Sequence, residues 1–284
     1  MRGATRAACY RAAMERAATG RPAEDVTGPR PRVPGVVAVR WLGRIGYREA
    51  WDLQRRLARA RAAGDIGDQL LLLEHPAVLT LGRQADASHV LAPAPLLEAR
   101  GIEVLRVERG GEVTYHGPGQ LVAYPILHLA DRGLLLRPYV RALEAALTAT
   151  CAALGVDAGR RDGHPGCWVD PHGQHPRKIA ALGIRVERGV AYHGIALNVN
   201  VALRDFELID PCGMPGLAST SIAAELGRPD EPPATERVAD AAGIFARALA
   251  AELEDARLVG ALPPGADPAA TRASLEGLLT ARAA

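Results

Sequence analysis

Two residues of this 284-residue chain are placed for covalent chemistry, Cys212 and Lys178. Cys212 lies in ELIDPCGMPGLAST, between Pro211 and Gly213, after a polar turn. That context is poor for core packing, although a structural thiol in a turn is the plain alternative. A helix expected near residues 218–226 would aim its N-terminus toward the thiol, and its dipole would favour the thiolate. Lys178 is the only lysine among 34 basic residues; the others are all arginine. Arginine does not lose its proton in a protein, whereas lysine does when its surroundings lower its pKa. A lone lysine in an arginine-rich chain is either a chance survivor or a proton-transfer group. A thiol and a titratable amine together would suit nucleophilic acyl chemistry.

The densest binding candidate is RGGEVTYHGPGQ, residues 109–120. Four glycines and a proline in twelve residues exclude an ordinary strand or helix. Glycines there would let backbone N–H groups approach a ligand and form an anion nest, with Arg109 clamping a carbonyl or phosphate. A ligand-free glycine-rich hairpin is the alternative. The segment is no Walker A loop, because the only lysine is followed by Ile179. No GxGxxG follows a strand. His164, Cys167, His172 and His175 have the residue types of a zinc site but not a finger's spacing, and they read as a solvated loop between a helix and a strand. His193 alternates with Ile195, Leu197 and Val199, which marks a hydrogen-bonded core histidine. The opposite face (Tyr192, Gly194, Ala196, Asn198, Asn200) is rich in small residues, with room for a ligand. His75 and His128 read as structural.

These groups need elements to hold them. VVAVRWLG from Val36 reads as a strand, residues 47–63 as a helix stopped by Gly64, and residues 70–74, 102–107 and 121–129 as strands. Residues 138–154 form a helix with Val140, Leu143, Leu147, Cys151 and Leu154 on one face. Residues 178–187 and 190–202 pair as strands around Arg188 and Gly189. Helices follow near 218–226, 236–256 and 268–282. Strands and helices without strict alternation predict an α+β fold, a mixed sheet packed with helices.

Net charge of +2 gives no basic field for nucleic acid, and no apolar run approaches the roughly 20 residues of a membrane span. Four irregularly spaced cysteines point to reduced thiols in a cytoplasm rather than a disulfide scaffold. Residues 1–35 read as an Arg/Ala-rich extension and Pro/Gly-rich linker resembling a transit peptide or an upstream start. Residues 36–262 form the expected catalytic domain and 263–284 a helical tail.

EHPAVLTLGR, RGGEVTYHGPGQLVAYPI, RKIAALGIRV, YHGIALNVN and DPCGM, in that order, resemble the lipoyl(octanoyl) transferases, from about Val36 to about Ser221. The resemblance implies a biotin/lipoate protein ligase-like fold. It implies a cysteine acyl-thioester on Cys212 and a lysine, Lys178, that lowers the pKa of that cysteine. It places substrate binding on Arg109, Gly110, Gly111, Glu112, Val113, Thr114, Tyr115 and His116. Two further binding stretches fall on Ala181, Leu182 and Gly183, and on Gly194, Ile195 and Ala196. Octanoyl-acyl carrier protein is the implied donor. Lipoyl domains of 2-oxoacid dehydrogenases and the glycine-cleavage carrier protein are the implied acceptors. No metal or cofactor is expected. The other readings are an ATP-dependent lipoate or biotin ligase, which would not need Cys212, and a non-enzymatic protein that binds metal or lipoyl domains.

Overall fold

Short apolar runs bounded by Gly, Pro and polar turns build the core as strands. The computed structural model describes residues 35–210, 216–253 and 256–280. Eight strands form one sheet in the order β11-β1-β2-β6-β10-β9-β8-β7. They are β1 (Val36–Arg44), β2 (Asp68–Glu74), β6 (Gln120–His128), β7 (Gly159–Arg161), β8 (His164–Val169), β9 (Arg177–Glu187), β10 (Val190–Asn198) and β11 (Arg257–Val259). A second sheet, β4-β3-β5, contains β3 (Val78–Leu81), β4 (Glu103–Arg106) and β5 (Val113–His116). The mixed sheets and helices match the α+β expectation.

Helices cover both faces of the large sheet. On one face α3 (Leu136–Ala153) and α5 (Thr235–Glu252) bury Tyr139, Leu143, Phe245 and Leu249 against Leu70, Ala123 and Ile195. On the other, α1 (Tyr47–Ala63) and α6 (Pro268–Thr280) bury Leu53, Leu57 and Leu275 against Leu71, Val122 and Tyr192. Helix α6 thus packs on the body although the sequence sets it apart as a tail. Helix α2 (Ala94–Ala99) lies beside the small sheet, where Leu97 packs with Leu79 and Tyr115. Among the described residues, no helix is long and apolar enough to cross a membrane.

Several expectations change. The His-bearing segment is not a loop throughout. His164 and Cys167 lie in β8, paired with β7 and β9, and Cys167 is fully buried. Among the described residues no cluster of His, Cys, Asp or Glu could hold a metal. Helix α5 ends at Glu252, and the following chain becomes β11, parallel to β1 through Val36 and Arg257. The buried face of α3 holds Leu143, Leu147 and Cys151 as expected and widens to include Tyr139, while Val140 and Leu154 are only half-buried. The helix expected over 218–226 shrinks to α4 (Ile222–Glu225), because the chain before it pairs with β9 at Lys178. One helical turn carries little macrodipole, so the dipole argument for Cys212 falls.

Candidate functional site

The site grows from a break in the central sheet. Pro125 has no N–H to donate, yet it occupies the middle of β6, where proline is usually excluded. Opposite it, the β6–β10 ladder is interrupted between Ala191 and Ile195. His193 sits in this gap with φ +57°, and its backbone N–H donates to Gln54 Oε1 of α1 at 2.9 Å. A positive φ on a non-glycine residue redirects the side chain. His193 therefore joins Tyr192 and Tyr124, with ring centroids 5.1 and 6.2 Å away, rather than Ile195, Leu197 and Val199. It is also not the hydrogen-bonded core histidine expected. Neither ring nitrogen has a hydrogen-bond partner among the described residues, and Glu108 Oε1, at 3.9 Å from Nε2, is too far to be one.

A second loop closes over this gap. The backbone at residues 109–112 bonds to residues 82–84, with Arg83 N to Arg109 O at 3.0 Å and Gln84 N to Gly111 O at 3.3 Å. Gly110 N donates to Ile184 O of β9 at 3.1 Å. Close packing requires glycine on both sides. A Cβ on Gly82 would stand 2.1 Å from Gly111 O, and one on Gly183 2.9 Å from Arg109 Cδ. Arg109 is nearly buried and is tied inward. Its Nη2 donates to Thr80 O at 2.5 Å and to Thr80 Oγ1 at 2.9 Å, its Nε to the same hydroxyl at 3.2 Å, and its Nη1 to Gly110 O at 3.0 Å. It positions the loop. Glu112 is held by His89 Nδ1 at 3.1 Å.

Between loop and sheet lies a narrow cleft with a cavity volume of about 70 Å³. It brings together most of the residues expected from sequence: Arg109, Gly111, Glu112, Val113, Thr114, His116, Lys178, Ala181, Leu182, Gly183, Gly194, Ile195 and Ala196. Among the described residues, two of those expected do not line it. Gly110 spends its N–H on β9, and Tyr115 turns the other way along β5, donating its hydroxyl to Asp205 Oδ2 at 2.8 Å. Three residues not singled out as ligand-binding do line it: Tyr47, Tyr124 and His193. The Gly194 stretch beside a proline-bearing strand was the available signal for His193. Nothing marked Tyr47 or Tyr124.

Tyr47, His116, Tyr124 and His193 form a wall of rings in the cleft, backed by His75. His75 accepts or donates at both nitrogens, to Ile45 O at 2.8 Å and Tyr124 OH at 2.9 Å, and so is structural as expected. His116 Nδ1 meets Gln120 Oε1 at 2.7 Å, and its ring stacks on Tyr47 at 5.8 Å. Burial lowers the pKa of His75 to about 4. Burial, reinforced by His75 and Arg109, lowers that of His116 to about 3. Burial also lowers His193 and raises Tyr47 to about 12. At neutral pH these rings are uncharged, so the wall suits an apolar chain.

Lys178 stands at another edge of the cleft. It is 9% exposed, with Nζ 5.2 Å from the centroid of the Trp168 ring. Gly166 makes room for it, since a Cβ there would lie 2.8 Å from Lys178 Cε and 2.6 Å from Ala180 O. Lys178 N donates to Ala218 O at 2.8 Å, and Thr220 N to Lys178 O at 2.9 Å. Arg177 forks onto Glu225, with both nitrogen–oxygen distances 2.9 Å, and Thr220 Oγ1 donates to the same carboxylate at 2.6 Å. The segment from Ala218 to Thr220 is thus anchored beside the lysine. Cys212 lies outside the described residues.

The fold is that of the lipoate protein ligases. A crystal structure of lipoate-protein ligase A bound with ATP superposes with a TM-score of 0.59 at 14% identity, covering 87% of this chain and 95% of that one. A bipartite lipoate protein ligase from Thermoplasma acidophilum gives 0.56 at 13%, covering 88% and 93%. At these identities the likeness shows the fold. The family model of the lipoyl protein ligase A/B catalytic domain matches residues 46–242. An octanoyltransferase of Acidobacterium capsulatum is 51% identical over 202 residues, 68% of this chain and 81% of its own. One of Chloroflexus aggregans is 49% identical over 200 residues, 70% and 88%. The chain belongs to the lipoyl protein ligase A/B catalytic-domain family and, within it, to the lipoyl(octanoyl) transferases.

Proposed function

We propose that this protein moves an octanoyl group from octanoyl-acyl carrier protein, through a thioester on Cys212, to a lysine of a lipoyl domain. The observation that carries this reading is the single cleft that holds Lys178 together with an uncharged wall and the close-packed glycine loop. In the first step Lys178 takes the Cys212 proton. The thiolate attacks the donor carbonyl, a new C–S bond forms, the donor's C–S bond breaks, and the departing thiolate recovers the proton from Lys178. In the second step the acceptor amine attacks the Cys212 thioester and loses its proton to neutral Lys178. The amide forms, and Cys212 leaves as thiolate and takes that proton. Thioester exchange is nearly isoenergetic and amide formation runs downhill, so neither step needs ATP. The cysteine is a few per cent ionised on its own near neutral pH, which is why the lysine matters.

Lipoyl domains of 2-oxoacid dehydrogenases and the glycine-cleavage carrier protein are the proposed acceptors, in the cytoplasm, with no metal or cofactor. The test is transfer from octanoyl-carrier protein to a purified lipoyl domain, with and without ATP. Equal product in both supports the transferase. Product that requires ATP and free octanoate points to a ligase and refutes the reading.

A further inference from the structure

Beyond Lys178 and Trp168 runs a second cavity, a groove of about 460 Å³ bordered by Arg161, His164, Trp168, His175, Arg177 and Ala218. No acidic side chain borders it among the described residues. Arg177 is committed to Glu225. Arg161 is half-buried, its Cζ 5.5 Å from the Trp168 centroid, and no carboxylate pairs with it among the described residues. Trp168 therefore has a basic side chain from each cavity beside it, Lys178 from the cleft and Arg161 from the groove. Its indole N–H is fixed on His164 O at 3.0 Å. Trp168 thus borders the groove and stands beside Lys178 of the cleft.

This juxtaposition matters for a thioester donor. When the acyl chain lies in the cleft and its carbonyl is near Lys178, the thiol arm must extend away from the cleft. The arm of a carrier protein ends in a phosphodiester, an anion that needs cationic donors and keeps its charge at any physiological pH. We propose that the groove binds this phosphodiester arm, with Arg161 supplying the charge-assisted hydrogen bond. The assignment rests on the transferase reading above. Arginine suits the role because its planar fork matches phosphate geometry. Here Trp168 already orients the guanidinium.

The test uses the full chain with two small donors, octanoyl-pantetheine and octanoyl-4′-phosphopantetheine, and a fixed acceptor. The wild type should favour the phosphorylated donor in kcat/KM by about tenfold, the worth of one well-placed charged hydrogen bond. In Arg161→Ala that ratio should fall to about one, and Arg161→Lys should keep part of it. Should Arg161→Ala not fold, Arg161→Gln makes the same comparison. Equal use of both donors by the wild type, or an undiminished ratio in the Arg161 variants, overturns the groove assignment alone. No transfer from either donor or from octanoyl-carrier protein refutes the transferase reading and this one with it. ATP-supported use of free octanoate would put a nucleotide phosphate in the groove and also overturn the proposal.

Discussion

Thr80→Val isolates what Arg109 does. The substitution keeps the side-chain shape and the backbone carbonyl that accepts from Nη2, and removes only the hydroxyl. Two guanidinium N–H groups lose their acceptor, at 3.2 and 2.9 Å, at a site where Thr80 is fully buried and Arg109 nearly so. Hydrogen bonds to charged groups contribute about 1.5–3 kcal/mol, and the two here share one oxygen, so the expected loss is about 2–3 kcal/mol. The loop that Arg109 anchors also carries Glu112 on the cleft and leads directly into Thr114 of β5. Transfer should therefore show a several-fold higher donor KM with a smaller change in kcat. Urea denaturation and initial-rate kinetics measure the two effects, and Thr80→Ser, which keeps the oxygen, should restore most of both. In an Arg109→Met background the Thr80→Val cost should nearly vanish, since the partner is gone. A Thr80→Val loss below about 0.5 kcal/mol, or an equal loss in both backgrounds, refutes the reasoning.

Gly194→Ala would put a Cβ 2.1 Å from Ala123 O and 2.8 Å from Pro125 Cδ, so it should destabilise by about 3 kcal/mol and close the cleft. Gly277→Ala in α6 meets nothing within 4 Å and should be neutral or stabilising by up to about 1 kcal/mol; thermal melts compare the pair. His75 and His116 have folded pKa values of about 4 and about 3, below the unfolded value near 6.5, so the unfolded chain binds more protons between those limits. Their contribution to stability is complete above about pH 6.5 and is lost as pH falls toward 4 and 3, with a combined slope of about 2.5 kcal/mol per pH unit near pH 5. Urea midpoints at pH 7, 6 and 5 measure it, and His75→Gln should halve the slope.

Much of the site is legible in the chain because glycine and turn chemistry are local. RGGEVTYHGPGQ reads as a loop throughout, yet only residues 109–112 close over the cleft, because Val113–His116 pair with β3 as strand β5. The β9–β10 hairpin follows from apolar runs around Arg188 and Gly189, with Val190 paired to Glu187. Other features depend on contacts distant in sequence. Strict alternation assigned His193 to the wrong face, because a positive φ opposite Pro125 breaks the period. Strand β11 has three residues and exists through β1, so no local pattern announces it. The truncation of α4 arises from a bridge to Lys178, some forty residues earlier.

The central claim is that an acyl group rests on Cys212 and that Lys178 moves the proton. Intact-protein mass spectrometry after brief exposure to octanoyl-carrier protein tests it directly. The wild type should gain one octanoyl group that is discharged on adding lipoyl domain, and Cys212→Ala should gain none. Lys178→Arg, which keeps the charge but cannot give up a proton, should acylate at least about a hundredfold more slowly. An unchanged adduct on Cys212→Ala, or wild-type rates in Lys178→Arg, would contradict the account.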